Sequence, residues 1–186
     1  VVGEVNAGWA VAMTLLGHER GSSAAVLPLQ FRVELDRLLA LATETGKASD
    51  PVIRQKLAWC YSKVEIMRYL GLQTLTGWLS GKETGASSSI AKLYWSEYHL
   101  LATELAVAIH GMASTVPVGR MPGSAFNPDE LGAPNSTMSW TTKFLHARAE
   151  TIYAGTSQIQ RNIVGEMVLG LPKEPKTEQG SWSGAR

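Results

Sequence analysis

The sequence lacks several features that define common classes of protein. It has one cysteine, Cys60, which excludes an intrachain disulfide framework and fits a reducing compartment. Its formal net charge of +1 gives no electrostatic reason to bind nucleic acid or an anionic membrane. No apolar run reaches about 18 residues, so no transmembrane helix is expected, and no signal peptide is expected either. The 186 residues suffice for one domain with a hydrophobic core.

Sequence patterns of metal centres are also missing. The four histidines, His18, His99, His110 and His146, are scattered. The sequence contains no E-x-x-H pair of the kind that holds a di-iron centre in a helical bundle. It also contains no cluster of cysteines and histidines of the kind that binds zinc. We therefore predict no metal site.

Apolar residues recur at helical spacing, and no β-type alternation is present. The pattern predicts helices over about 8–43, 51–79, 90–110, 138–150 and 157–170. The predicted fold class is all-α, an up-and-down four-helix bundle with one long loop and a short extra helix.

Local signals predict where these helices are interrupted. Pro28 should kink or interrupt the first helix, and Asp50 followed by Pro51 should begin the second. Met112–Thr137 is predicted to be a long loop. Four tryptophans at helical spacing are predicted to pack in the core or between helices: Trp9, Trp59, Trp78 and Trp95.

The stretch Thr151–Pro172 is the most informative part of the sequence. Ser157 and Gln160 have the spacing of a capping box, and Gly170 is a stop signal. The predicted apolar stripe of this helix is Ile159, Ile163 and Met167. The residues before the helix would suit a phosphate, a carboxylate or the polar edge of a cofactor. An ordinary capped helix is the alternative.

The residues themselves carry a further signal. The run I-Y-A-G-T-S-Q-I-Q-R at 152–161 resembles the C-terminal signature of the acyl-CoA dehydrogenases. Val1–Ser23 resembles the opening of that family's C-terminal helical domain. The resemblance implies such a domain at 1–172 and a polar, disordered tail at 173–186, without the family's N-terminal helical and middle β domains. The chain begins with Val1 and not Met, so we expect a piece of a longer protein.

The resemblance implies FAD-dependent oxidation of an acyl-CoA thioester to a 2,3-enoyl-CoA. The implied setting is cytoplasmic fatty-acid or steroid/lipid degradation, with an electron-transferring flavoprotein as electron acceptor. The reaction needs a carboxylate base near the α carbon. Most members supply it in a Y-E-G-T turn, but Ala154 occupies that position here.

The isovaleryl and long-chain branches of the family supply the base from the first helix, and Glu19 matches that position. Glu19 shares a helical face with an apolar stripe, and apolar surroundings raise the pKa of a carboxylate. Arg20 would orient Glu19 or the substrate. Alternatively, Glu19 is a rim carboxylate paired with a neighbouring helix and Arg20 a surface cation. Glu150 and Glu166 are weaker candidates for the base, expected to be solvated or ion-paired.

Contacts with flavin and substrate are implied at the signature turn. By resemblance, Thr156 and Gln158 contact the flavin, Ile152 and Tyr153 pack near its ring, and Gly155 lies at the substrate. The intact turn makes these positions the expected cofactor site.

Two segments by which family members reach a neighbouring subunit's FAD are degraded, at Glu44–Ser49 and Ala108–Met112. A homologous subunit would then supply the missing arginine in a hetero-oligomer, although Lys47 or Arg54 could compensate in a homo-oligomer. Alternatives are a non-catalytic homologous subunit or a helical oligomerisation module. The chain alone is expected to bind FAD weakly or not at all, to be inactive and to self-associate.

Overall fold

The computed structural model describes residues 3–81, 87–116 and 139–173, and the side chains of residues 17–25 and 87 lie outside its described part. Its α-helices are α1 (Gly8–Glu44), α2 (Pro51–Leu79), α3 (Ser87–His110), α4 (Trp140–Glu150) and α5 (Ser157–Ile163). The remaining regular elements in these ranges are short helical turns, so the predicted all-α bundle is confirmed. No helix in these ranges combines the length and apolarity needed to span a membrane.

The connection between α1 and α2 follows its sequence signals. Gly46 adopts a left-handed conformation with φ of 69° after the end of α1, and a 3-10 turn covers Lys47–Ser49. Asp50 then caps α2, its Oδ1 accepting hydrogen bonds from the backbone N–H of Val52 at 2.8 Å and Ile53 at 3.2 Å. The predicted start of α2 is confirmed.

Helix α1 continues through Pro28, so the prediction of an interruption there is wrong. The proline removes one backbone donor, a local cost. The residues after it, including Phe31 and Leu35, are buried against the bundle. This packing fixes the half of the helix that follows Pro28, whereas the described residues before it are mostly exposed.

The core lies where α1, α2 and α3 meet. Each helix buries side chains at alternating intervals of three and four residues, which places them on one face. The largest core residues are Phe31, Leu35, Leu38, Leu57, Val64, Met67, Tyr98, Leu105 and Ile109. Helices α4 and α5 pack on α3, so α3 contacts every other α-helix of the described residues.

The prediction that four tryptophans pack in the core is half correct. Trp59 and Trp95 are partly buried and pack against the core cluster. Trp9 and Trp78 are 77% and 69% exposed. They lie near the start of α1 and the end of α2, where no other described helix covers them.

The helix boundaries later in the chain differ in detail from the prediction. Helix α3 begins at Ser87, three residues before the predicted start at Ile90. Residues Gly111–Thr115 form a 3-10 turn within the predicted loop. The rest of that loop from 117, and the tail from 174, lie outside the described residues.

The last helix changes geometry half-way. Helix α5 passes into a π-helical turn at Val164–Val168, and Gly170 with φ of 67° ends the element as predicted. The predicted apolar stripe is covered only in part, since Ile163 is half-buried whereas Ile159 is 51% and Met167 72% exposed. The π turn alters the spacing of side chains from Val164 onward, so it displaces Met167 from the expected face but does not affect Ile159, which precedes it.

Candidate functional site

The turn between α4 and α5 is the most unusual stretch of backbone in the described residues. Ala154 has φ of 53°, a left-handed conformation that side chains rarely adopt, and Gly155 has φ of 96°. The backbone N–H of Ser157 closes the turn by donating to Thr151 O at 3.1 Å. Backbone held in such sparsely populated conformations persists only where surrounding contacts impose it, and it concentrates at functional sites.

The cap of α5 lies one residue before the predicted capping box. Thr156, not Ser157, is the N-cap, and its Oγ1 accepts a hydrogen bond from Ile159 N at 3.2 Å. The fully buried Gln160 donates through Nε2 to Ala154 O at 2.9 Å. The glutamine therefore supports the strained turn and does not complete a capping box.

Lys92 of α3 is a second support for this turn. Its Nζ donates to Glu150 O at 2.9 Å and to Gly155 O at 2.8 Å, and the residue is only 4% exposed. One buried ammonium thus joins Glu150, the last residue of α4, to Gly155, which immediately precedes the N-cap of α5.

Sequence reasoning missed Lys92, although α3 carries a signal for it. Polar residues on this helix recur at intervals of three and four and are all buried: Ser89, Lys92, Ser96, His99 and Thr103. Such a stripe has the period of a packed helix face. Lys92 and His99 on this stripe contact the end of α4 and the turn after it, and His99 also lies beside α1.

A buried network of charged side chains lies beside the turn. His99 Nδ1 is 2.5 Å from Glu150 Oε2, and His146 Nδ1 is 3.4 Å from Glu150 Oε1. His99 Nε2 lies 3.2 Å from Glu34 Oε2, outside hydrogen-bonding geometry, and Lys143 Nζ contacts Glu34 Oε1. The network links α1, α3 and α4. Glu150 was expected to be either solvated or ion-paired, and in the structure it is ion-paired and buried.

The environment of the network shifts the pKa of its members. Burial tends to raise the pKa of Glu150, but the hydrogen bonds and charges of His99 and His146 outweigh burial and lower it overall. Burial lowers the pKa of Lys143 to about 8, although the charge of Glu150 opposes this change. Burial and the charge of Glu150 raise the pKa of Tyr153 to about 12.

The turn presents apolar side chains outward. Ile152 is 64% exposed and Tyr153 45%, and Gln158 is exposed beside them. The ring of Tyr153 lies 6.1 Å from that of His146. Exposed apolar groups next to a carboxamide form a surface suited to a flat ligand with a polar edge.

The structure places the predicted site residues in two regions. Ile152, Tyr153, Gly155, Thr156 and Gln158 lie together on the strained turn. The two first-helix candidates, Glu19 and Arg20, belong to α1, but their side chains lie outside the described part. The apolar residues predicted to share the helical face of Glu19 are Ala12, Leu15, Leu16 and Val26. Leu15 and Val26 are exposed, by 58% and 53%, whereas Ala12 and Leu16 are half-buried. Glu166 on the π turn lies 3.8 Å from Lys173 through an exposed ion pair.

Comparison with known proteins identifies the family. The family model of the acyl-CoA dehydrogenase C-terminal domain matches residues 6–169. The chain belongs to the acyl-CoA dehydrogenase family. Within the described residues, no group of three or more His, Cys, Asp or Glu side chains is arranged to hold a metal ion.

The relatives of this acyl-CoA dehydrogenase domain are longer proteins. It is 36% identical over 176 residues to acyl-CoA dehydrogenase IpdE1 of Mycobacterium tuberculosis, covering 95% of this chain and 41% of that protein. It is 24% identical over 181 residues to acyl-CoA dehydrogenase FadE26 of the same organism, covering 92% of this chain and 42% of that protein. The chain spans about two fifths of the length of the curated relatives it matches.

Solved structures share the fold. The domain superposes on a structure titled Tcur3481-Tcur3483 steroid ACAD with a TM-score of 0.71 and 26% sequence identity. The match covers 92% of this chain and 42% of that one. A G363A variant of the same protein gives a TM-score of 0.70.

Proposed function

We propose that this chain supplies the C-terminal helical domain, residues 1–172, of an enzyme that oxidises an acyl-CoA thioester to a 2,3-enoyl-CoA. The observation that carries the proposal is the strained turn, which holds Ile152, Tyr153 and Gln158 of the signature on one exposed surface in a member of this family. FAD, when bound, would accept the hydride that leaves the β carbon.

The residues of the turn fit a flavin. Ile152 and Tyr153 offer exposed apolar area for a flat ring, and Gln158 offers a carboxamide for its polar edge. Thr156 uses a hydroxyl lone pair as the cap of α5, which leaves its O–H proton free to be donated to a ligand. Gly155 has no Cβ, so an acyl chain can approach the backbone closely.

In this proposal Glu19 takes the α proton of the thioester and Arg20 orients Glu19 or the substrate. Ala154 leaves the turn without a carboxylate, and Glu150 is engaged with two histidines in the interior. The described neighbours of Glu19 on its face of α1 are apolar, and Leu15 and Val26 among them are exposed in this chain. Where flavin, substrate and the rest of the enzyme cover this face, Glu19 would be less solvated and a stronger proton acceptor.

Substitution of Glu19 tests this role in the full-length protein with the subunits that purify with it. Glu19→Gln should abolish acyl-CoA oxidation while the flavin content stays unchanged, because the amide keeps the shape and loses the proton acceptor. Glu4→Gln changes an exposed carboxylate just before α1, outside the proposed sites, and should leave the rate unchanged. Unchanged turnover in Glu19→Gln would reject the base.

The substrate we propose is a bulky acyl-CoA of steroid or lipid degradation, because a solved relative carries the word steroid in its title. The small residues of Gly21–Ala24 are compatible with a large acyl group. An electron-transferring flavoprotein in the cytoplasm would then reoxidise the flavin. Comparing steroid-derived and straight-chain acyl-CoA thioesters as substrates tests this assignment.

We also propose that the enzyme is a hetero-oligomer with a homologous subunit. The solved relative is titled with two protein names, and the segments at Glu44–Ser49 and Ala108–Met112 lack the residues that reach a neighbour's FAD. Co-expression with the homologue should give a complex that holds FAD. A homomer with one FAD per subunit would contradict this proposal and would indicate compensation by Lys47 or Arg54.

A non-catalytic subunit is the second candidate, favoured by Ala154 at the family's usual base position. In that case the partner supplies every reacting group, and Glu19→Gln leaves turnover unchanged. The same variant therefore separates the two functions.

A further inference from the structure

Lys92 occupies an unusual position for a lysine. It lies on the face of α3 that packs against α4 and α5, it is 4% exposed, and its ammonium donates to two backbone carbonyls. Burial of a cation is unfavourable unless hydrogen bonds replace water, and here Glu150 O and Gly155 O do so. The lysine is therefore held at this point by the backbone that it contacts.

The two carbonyls lie at opposite ends of the strained turn. Glu150 O belongs to the last residue of α4, where helix carbonyls lack partners within the helix. Gly155 O comes five residues later, immediately before the N-cap Thr156. A single ammonium bonded to both fixes the distance between the end of α4 and the start of α5.

The backbone between these carbonyls needs such a restraint. Ala154 is left-handed at φ of 53°, and a free chain would relax towards more favourable conformations. Gln160 restrains the middle of the turn through Ala154 O, but it belongs to α5 and moves with that helix. Lys92 bonds both ends of the turn directly to the core helix α3.

We propose that Lys92 is a positioning residue for acyl-CoA oxidation: by joining Glu150 O to Gly155 O it holds the α4–α5 turn in the shape that presents Tyr153 and Thr156. The inference rests on the proposed function, in which these two residues contact the flavin. In this proposal Lys92 touches neither flavin nor substrate and acts through its bonds to the backbone of the turn.

The test uses the complete flavin-loaded enzyme with Lys92→Met, which keeps the apolar stem and removes the donors. Hydrogen exchange at the amides of residues 152–157 should accelerate about tenfold or more, because two hydrogen bonds to a charged donor are lost. Exchange in α1 and α2 should not change. The visible absorption band of the flavin should shift, and kcat should fall about 10- to 100-fold with little change in KM.

Three further variants make the result interpretable. Lys92→Gln retains a hydrogen-bond donor, but its side chain is too short to reach both carbonyls. It should therefore show the same accelerated exchange at residues 152–157, and it replaces Lys92→Met in the test if that variant does not fold. Lys92→Arg keeps a long cation and should restore most of the activity. Ser96→Ala, at the next turn of the same buried stripe, removes a hydroxyl bonded to Leu93 O of its own helix and should change neither readout.

Two results would overturn the proposal. One is unchanged exchange at 152–157 with an unchanged flavin band in both loss variants. The other is accelerated exchange throughout α3 and α4, which would make Lys92 a residue of general stability. If the unmodified protein and its partners bind no flavin, the proposed function fails, whereas the exchange at 152–157 still decides whether Lys92 holds the turn.

Discussion

His99 and Glu150 join α3 to the C-terminal end of α4 through a contact of 2.5 Å between Nδ1 and Oε2, in the interior of the bundle. Both residues are buried, at 6% exposure each. The pair lies next to Glu150 O, which Lys92 binds from the same helix. The end of α4, from which the signature turn departs, is thus attached to α3 through both its side chain and its backbone.

Removal of His99 should strongly destabilise the protein. In His99→Phe, Glu150 keeps only its longer contact with His146, and Glu34 keeps Lys143. The variant therefore loses one buried hydrogen bond to a charged group, which costs about 1.5–3 kcal/mol. Urea denaturation measures the loss. His110→Phe, a half-buried histidine at the end of α3, is the matched control and should change the free energy of unfolding by less than about 1 kcal/mol. Equal losses in the two variants would contradict the role of the network.

The same network predicts loss of stability in acid. The pKa of Glu150 is lowered in the folded state, so below its ordinary value of 4.5 the unfolded chain binds more protons than the folded one. The contribution of Glu150 is therefore complete above the ordinary value and is lost as pH falls through the lowered pKa. Denaturation at a series of pH values should show a smaller acid loss for Glu150→Gln. An identical pH profile would show that Glu150 does not contribute.

The left-handed conformation of Ala154 predicts which residues this position accepts. Ala154→Val should destabilise the protein by about 1–3 kcal/mol, because a β-branched side chain is strained at positive φ. Ala154→Gly should keep stability within about 1 kcal/mol, since relief of strain offsets the greater freedom of the unfolded chain. Ala58→Val, at an exposed position within α2, controls for the change of residue type. Equal effects at positions 154 and 58 would argue against a strained turn.

Cys60 should be unreactive in the folded protein. The thiol is 1% exposed, and burial raises its pKa to about 12, so almost no thiolate forms near neutral pH. Ellman's reagent should give no absorbance change with native protein and one equivalent of thiol in denaturant. Rapid modification of the native protein, with its circular dichroism unchanged, would contradict the buried position.

The helices could largely be predicted because their signals are local. Asp50 and Pro51 specify the start of α2, and Gly170 the end of the last element, through contacts within a few residues. The predictions failed where packing decides. Helix α1 continues through Pro28, and the residues after it, such as Phe31 and Leu35, pack in the core. Met167 lies on a π turn, which helical spacing does not predict.

The candidate site was predictable in one part only. The run at 152–161 identifies the turn, and five predicted residues lie together on it. The sequence did not predict that Lys92 and His99 contact the turn and the end of α4. The reason is that these residues are far from their partners along the chain. His99 is 51 residues from Glu150, and Lys92 is 58 and 63 residues from its two acceptors.

The sequence by itself determined the helical class, the order and approximate ends of the helices, and the family, since these depend on periodicity, capping and a continuous motif. Only the tertiary structure decided which polar residues are buried and which tryptophans are not. The reason is that burial depends on what a helix face meets across the bundle. Spacing along one helix shows that Lys92 and His99 share a face, but only packing shows that this face meets the end of α4 and the turn after it.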